Sequence, residues 1–522
     1  MSLAQPSKHP FISLIVIGLF LLGILLRIWS FQQNTRLYGD LNLFALTARQ
    51  LALTGQLTYP MKYDYTPQAL YLSLESPASQ HPPLWPLLGA ILARLCETTN
   101  TFQMLKFLSF FVGLCLWTIF LPKTEESHSL AKWIPFGLMA LSPWLVDFSA
   151  NGSPYILITL ILILAERLWR STPLHDPPAL IGIAALCALA ILTHNNLTLL
   201  PLSFVIRILV QEDSSPQKKA LNLGILCATL LFLLSPWLAW NWRTFRQWFH
   251  TPSSYYLLEQ LGMTRIQLVQ DRVMWTVEEP PFPAIVYRYS LLIAKSTWAG
   301  LKHFIDMVTP LGFLGIVIAL GLRLRQSREE WSSGWLRHIR SLTSPLLLYL
   351  LTILLWATYK TRFLIPLLPP SYLLIGESIS HAERLFKERA WLIWSGVVLL
   401  FLLNLLPYHR KPLNLYYGAE TPSLAQSYDQ MKRLAEQLQK QPAGVVLGVS
   451  ESLDGGIETI YWAQQPFVTA RGFGKTLWKK LADDFNVRYI WGECRQEQSL
   501  SDVFPTLKLL LTDGLYCVFL LP

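Results

Sequence analysis

Apolar stretches long enough to cross a bilayer recur from residue 11 to about residue 407 and then stop. No other feature restricts the fold as strongly. A backbone in hydrocarbon must satisfy its own N–H and C=O groups, and apolar runs of about 20 residues do so as helices. Charged residues make up only 15% of the 522 positions, where ordinary soluble domains carry about 25%. The expected fold class is therefore a polytopic α-helical membrane protein over residues 1–407, followed by a small soluble domain at 408–522. The first run, residues 11–29, is long and lacks a small-residue cleavage site, so it is expected to stay as a span rather than be removed as a signal peptide.

The net charge of +10 would suit a nucleic-acid partner if it were gathered in one patch. Many of the Lys and Arg residues instead lie in short connections between apolar runs, which is a topology signal. Membrane lipids, and no nucleic acid, are the expected partners.

Residues 82–96 are apolar but short, start with prolines and carry Arg94, so an interfacial or re-entrant segment is expected there. With the N-terminus inside, the remaining spans fall near 11–29, 103–121, 133–149, 154–168, 179–194, 197–210, 221–240, 304–322, 343–358, 363–380 and 391–407. That makes about eleven transmembrane helices. The count is least fixed at 179–210, where His194-Asn195-Asn196 separates two runs. The inside connections then hold Arg167 and Arg170, Lys218 and Lys219, an Arg-rich stretch at 323–340, and Arg384, Lys387 and Arg389. The positive-inside bias is met repeatedly, and the C-terminal domain lies outside.

Two outer loops are large, residues 30–102 and 241–303. The second carries Arg243, Arg246, Arg265, Arg272, Arg288 and Lys295 on the side where positive charge is normally disfavoured. Anionic ligands or headgroups would balance them, as would snorkelling from interfacial helices. In the tail, residues 425–441 read as a helix, 444–450, 487–491 and 516–521 as strands, and "KTLWKKLADDF" as a second helix, which together suggest a small α/β domain. "GFGKT" is not a phosphate loop, because Thr469 stands where the first Gly belongs. An exported tail would allow Cys494 and Cys517 to pair.

The first loop holds the main candidate for chemistry. Asp40 is the only acid between residues 1 and 63 and is expected at the membrane surface, where partial desolvation suits a carboxylate to general-base work. An inert surface acid is the plainer alternative. His81 precedes two prolines that fix the chain's direction. Tyr63 and Glu75 lie between the two as sugar or acceptor contacts, or as a solvated loop. Lys360 and Arg362 form a short basic clasp at the outer surface before "FLIPLLPP", suited to a phosphate or to lipid anchoring. Asp147, Asn151 and His194 mark the outer ends of later spans.

Taken in order, "GDLNLFALTARQLALTGQL", "HPPLWPLL", "SPWLVDFSANGSPYILITLILILAERLWR", "SPWLAWNWRTF" and "TRFLIPLLPPSYLL" resemble the GT-C glycosyltransferases of the protein O-mannosyltransferase and aminoarabinose transferase type. The likeness covers roughly the first 380 residues. It implies an inverting transfer of sugar, outside the membrane, from a polyprenyl-phosphate-linked donor. The catalytic carboxylate of that family maps onto Asp40. Donor-phosphate contacts map onto Arg362, Lys360 and His81, with Arg272 as a further cation, while Asp147, Glu75 and Tyr63 are candidates for the acceptor or sugar. Two departures stand out: Leu41 replaces a second acid found in many relatives, and Ser153-Pro154 replaces an acid at the start of the fourth span.

No cofactor is implied, and a lone acid offers little to a divalent metal. The acceptor, whether glycan, lipid or protein, is left open. Short loops and a minimal tail suggest a bacterial inner membrane. A flippase of lipid-linked sugars and a surface-polysaccharide ligase or polymerase are the competing classes. A transporter, however, should carry ionisable or broken helices near mid-bilayer, and here the charges sit at span ends. An accessibility tag placed after Leu95 is expected to react from the outer face, and reaction only from the inside would overturn the topology.

Overall fold

The computed structural model describes residues 10–37, 40–62, 76–78, 81–122, 130–171, 176–211, 214–249, 257–258, 261–269, 272–277, 280–330, 344–356, 360–409, 422–449, 457–470 and 474–522. Helices dominate, and a small sheet gathers near the C-terminus. The chain divides into two compact units that are discontinuous in sequence. One comprises Met1–Asn34, Lys106–Ser235 and Ser290–Ala419, and the other Thr35–Leu105, Pro236–Tyr289 and Glu420–Pro522.

The first unit holds most of the membrane helices. Among the described residues, five helices are long and apolar enough to cross a bilayer: Leu14–Gln33, Thr101–Thr118, Pro216–Phe245, Thr361–Leu385 and Lys387–Tyr408. A sixth crossing is available if Phe282–Val308 and Pro310–Arg323, bent by 105°, act as one broken span. Shorter apolar helices include Leu130–Leu141, Pro177–Thr193, Asn195–Leu209 and Pro345–Leu355. The chain is a multi-pass membrane protein. Its outward side chains, such as Leu14, Leu25, Phe232 and Trp391, are large and apolar, as hydrocarbon requires.

Several buried polar groups inside this unit find partners on other helices. Helix α1 (Pro10–Gln33) carries Arg27, which is buried. Its guanidinium donates to the carbonyls of Gly23 at 3.0 Å, Ala140 at 3.2 Å and Met139 at 3.1 Å, and lies over the Trp117 ring. Two of these carbonyls belong to the last turn of the helix Ile134–Leu141, where backbone oxygens lack helical partners and a cation is favourable. Ser142 then caps the next short helix, Pro143–Phe148, accepting from the Leu145 N–H, with proline at the position where a missing N–H costs nothing. Tyr372 donates to the Ser142 hydroxyl at 2.9 Å.

In the second unit, helix α2 (Asp40–Thr54) buries an almost unbroken face from Leu41 to Ala48. Helix α3 (Leu84–Leu95) is the short apolar segment of the first loop. Its 12 residues rise only ~18 Å, against a hydrocarbon core of about 30 Å. It packs on α2 where Gly89 permits close approach, since a Cβ there would meet Leu105 and Ala48. Arg94 closes the far end, donating to the Leu51 and Ala52 carbonyls at 3.0 and 2.8 Å.

The six-stranded sheet has the order β2-β7-β6-β8-β10-β9, with β2 at Met61–Lys62, β6 at Val445–Gly448, β7 at Phe467–Thr469, β8 at Val487–Glu493, β9 at Lys508–Asp513 and β10 at Tyr516–Leu520. Strands β2, β7, β6 and β8 run parallel, while β10 pairs antiparallel with β8 and β9. One edge strand, β2, comes from the first loop. Leu447, Val468, Leu481, Ile490 and Phe519 fill the core against the helix Lys475–Asp484. The outer-loop segment "TRIQLVQDRVMWTV" differs from the interfacial helices weighed for that loop. It forms a β-hairpin, β4 (Thr264–Val269) with β5 (Arg272–Val277), because its apolar and β-branched residues alternate at period two.

Cys494 and Cys517 are joined in a disulfide that ties the end of β8 to β10. The two cysteines are 23 positions apart in sequence, and removal of the bond costs about 3 kcal/mol in the loop-entropy account. Dithiothreitol is therefore expected to lower the unfolding temperature of the sheet, and the Cys494→Ser, Cys517→Ser pair to abolish that sensitivity.

Candidate functional site

Asp40 is the first residue of α2, where unpaired backbone N–H groups and the helix dipole favour a negative charge. Its side chain is largely covered, and Oδ1 lies 3.8 Å from Nε2 of His81. That distance is longer than a hydrogen bond and suits an ion pair when the imidazole is protonated. The His81 ring also packs on Phe44, one turn along α2, with centroids 4.4 Å apart. Helix α2 thus fixes both partners, presenting Asp40 at its tip and Phe44 as the platform for the imidazole. Their separation in sequence, across most of the first loop, is closed by the packing of α3 on α2.

The second cluster lies within the membrane-helix unit. Arg362 sits in a 3-10 segment, Thr361–Leu367, that precedes the helix Leu368–Leu385. It is buried, and its Nε donates to the Tyr155 hydroxyl at 3.0 Å. The same hydroxyl lies 3.4 Å from Nε2 of His194. On the far side of that ring, the backbone N–H of Asn196 donates to Nδ1 at 3.2 Å. An accepting Nδ1 carries no proton, so the neutral imidazole holds its proton on Nε2, facing Tyr155. Phe363 packs on both rings. A guanidinium, a phenol and an imidazole are thereby locked together inside a low-dielectric helical core. Lys360 takes the N-cap position of the 3-10 segment in extended conformation.

Asp147 is fully buried and accepts from Asn34 Nδ2 at 2.9 Å. The Asn34 carbonyl in turn accepts from Lys106 Nζ at 2.6 Å, and Lys106 also binds the Phe31 carbonyl. The lysine therefore caps the C-terminal end of α1, and Asn34 bridges it to the acid. Close by in sequence, Asn151 Nδ2 and Ser153 Oγ are buried polar atoms without a hydrogen-bond partner among the described residues.

Of the residues singled out from sequence, Asp40 and His81 come together in one unit, and Arg362 joins Tyr155 and His194 in the other. Arg272 opens β5, its backbone paired with Val269. Tyr63 and Glu75 lie outside the described residues. Tyr155 was not anticipated as a partner of Arg362. The available signal was a tyrosine at the start of a span, directly after Ser153-Pro154, together with a histidine interrupting two apolar runs. Among the described residues, no group of three or more His, Cys, Asp or Glu is placed to hold a metal ion.

No protein-family model matches the sequence, and no curated protein matches it either. Solved structures do match. ArnT from Cupriavidus metallidurans in the apo state aligns with a TM-score of 0.59 at 11% identity, over 98% of each chain. The same protein bound to undecaprenyl phosphate aligns with a TM-score of 0.57 at 12% identity, over 99% of each chain. This chain has the GT-C fold. The Archaeoglobus fulgidus oligosaccharyltransferase aligns with a TM-score of 0.55 at 14% identity, covering 94% of this chain and 69% of that one. Within the GT-C fold, the alignments over nearly the whole chain include the C-terminal sheet as well as the membrane helices.

Tyr155→Phe removes the hydroxyl that accepts from Arg362 Nε while keeping the ring. Leaving a buried guanidinium N–H unsatisfied is expected to cost about 1–3 kcal/mol. Thermal unfolding of the purified chain in detergent reads this as a lowered midpoint, and an unchanged midpoint would show that the hydroxyl is dispensable.

Proposed function

We propose that this protein transfers a sugar from a polyprenyl-phosphate-linked donor to an acceptor on the extracytoplasmic face of the membrane, with inversion at the anomeric carbon. The observation that carries the proposal is Asp40 at the tip of α2, covered and beside His81, in a chain with the GT-C fold. The fold is shared with ArnT, one structure of which holds undecaprenyl phosphate.

Asp40 is the general base. Its carboxylate takes the proton of an acceptor hydroxyl as that oxygen attacks the anomeric carbon. The bond from carbon to the phosphate oxygen breaks on the opposite face, and polyprenyl phosphate leaves with the electron pair. His81, when protonated, pairs with Asp40 and adds positive charge to the site. Arg362 and Lys360 counter the charge that develops on the departing phosphate, with Arg272 as a further cation, because preorganised cations stabilise a leaving anion most where water is excluded. Asp147, Glu75 and Tyr63 serve the sugar or the acceptor. Sugar transfer of hexosyl or pentosyl type fits this arrangement.

The Cys494–Cys517 disulfide supports an oxidising compartment for the C-terminal sheet, since such bonds persist outside the cytosol. A bacterial inner membrane, with the N-terminus cytoplasmic and this sheet outside, meets that condition. The positive-inside distribution of the connecting loops agrees.

Asp40→Asn keeps size and hydrogen-bonding capacity but not basicity. Membranes holding the variant and supplied with polyprenyl-phosphate-linked sugars are expected to show transfer reduced by at least about 10²-fold, with normal accumulation and retained polyprenyl-phosphate binding. Wild-type transfer rates in this variant would remove Asp40 from the mechanism. Movement of lipid-linked sugar across the membrane without any glycosidic product would end the transferase reading.

A further inference from the structure

The segment that delivers the chain into α2 is held by residues nearly four hundred positions away. Leu37, fully buried, donates its backbone N–H to the Tyr428 hydroxyl at 2.7 Å. Tyr428 is itself fully buried, and its oxygen also accepts from Trp462 Nε1 at 3.0 Å. The neighbouring residues pair as well: Arg36 donates through Nε and Nη2 to the two oxygens of Asp429, at 3.3 and 3.0 Å. Tyr428 and Asp429 are consecutive residues of the helix Pro422–Gln439, so one turn of that helix grips two consecutive residues of the approach to Asp40.

The other end of α2 is gripped too. Arg49 lies over the Tyr461 ring, 3.7 Å from its centroid, and donates to the Tyr461 carbonyl at 2.9 Å. The Tyr461 hydroxyl accepts from the Phe102 N–H at 3.2 Å and donates to Asn100 Oδ1 at 3.3 Å. Tyr461 and Trp462 belong to the helix Ile457–Ala463. The strand β2 then adds the first loop to the sheet through Met61–Phe467 and Lys62–Val468 pairing. These contacts fix where α2 begins, and with it the position of Asp40 against His81.

We infer that Tyr428 and Asp429 are positioning residues for Asp40, so that the C-terminal domain sets the geometry of the base from a distance. The inference rests on Asp40 being that base. A misplacement of the order of 1 Å is enough to lower the chemical step strongly while leaving ground-state binding intact. Removing the Tyr428 hydroxyl deprives two N–H groups of their acceptor but preserves the ring that fills the core.

The test uses the full chain in membranes, supplied with polyprenyl-phosphate-linked sugars. Tyr428→Phe is expected to lower kcat about tenfold with the donor KM within about twofold, and to accelerate amide hydrogen exchange at Leu37 and in the first turn of α2. Arg36→Asp and Asp429→Arg are each expected to lower kcat, and the double exchange, which restores an opposite-charge pair, to recover most of it. A purely structural role would instead reduce the amount of folded protein and leave the kcat of the folded fraction unchanged. Wild-type kcat and exchange in Tyr428→Phe, alongside an inactive Asp40→Asn, would overturn the inference and leave the transferase reading standing. A fully active Asp40→Asn would overturn both. Should Tyr428→Phe fail to accumulate, the charge exchange decides alone: no recovery in the double variant counts against positioning.

Discussion

A buried backbone N–H has to find an acceptor, and in the approach to α2 the acceptor is a tyrosine hydroxyl from the far end of the chain. Among the described residues, Thr35–Leu37 belong to no helix or strand that would close these bonds. An unpaired buried amide costs about as much as a lost hydrogen bond. Leu37 is therefore stable in its buried position only with Tyr428 in place, and the rest of the second unit follows from that dependence. The bond needs the helix Pro422–Gln439 beside the loop, that helix needs the sheet it flanks, and the sheet takes its own edge strand from the same loop.

The membrane-helix unit meets the same requirement with cations. Arg27 and Lys106 are buried, yet both end on helix C-terminal carbonyls, where their charge is most useful. Arg362 ends on a phenol that also faces a histidine. Each cation is placed where backbone or side-chain oxygens converge, so desolvation is offset locally. These positions look unremarkable in sequence because the compensating oxygens belong to other helices.

Much of the architecture was legible in the sequence because it is written in local composition. Long apolar runs without charge mark membrane helices, and the residues after them carry most of the small sheet. The helix and strands expected at 425–441, 444–450, 487–491 and 516–521 appear as Pro422–Gln439, β6, β8 and β10. Three strands of the six-stranded sheet escaped notice for physical reasons. Met61–Lys62 and Phe467–Thr469 are too short to show a period, and Lys508–Asp513 is an edge strand with no fully buried side chain. Asp40 and His81 could be named from their residue types and places, but their 3.8 Å approach depends on the docking of α3 on α2, which rests on the space left by Gly89. The link between Arg362, Tyr155 and His194 joins three segments far apart in the chain. No spacing rule reaches across such distances.

The edge strand β2 and the Leu37 amide have a consequence for biosynthesis. Leu37 and Tyr428 are separated by 391 positions. A ribosome adding about 5–20 residues per second needs roughly 20–80 s to make that length. For all of that time the first loop has left the ribosome without its strand neighbour, its tyrosine acceptor or its aspartate. The candidate base cannot be seated until the last fifth of the chain has been made. Nascent and prematurely terminated chains would therefore have their membrane helices before they have an ordered first loop. Completion of synthesis itself becomes the step that assembles the loop.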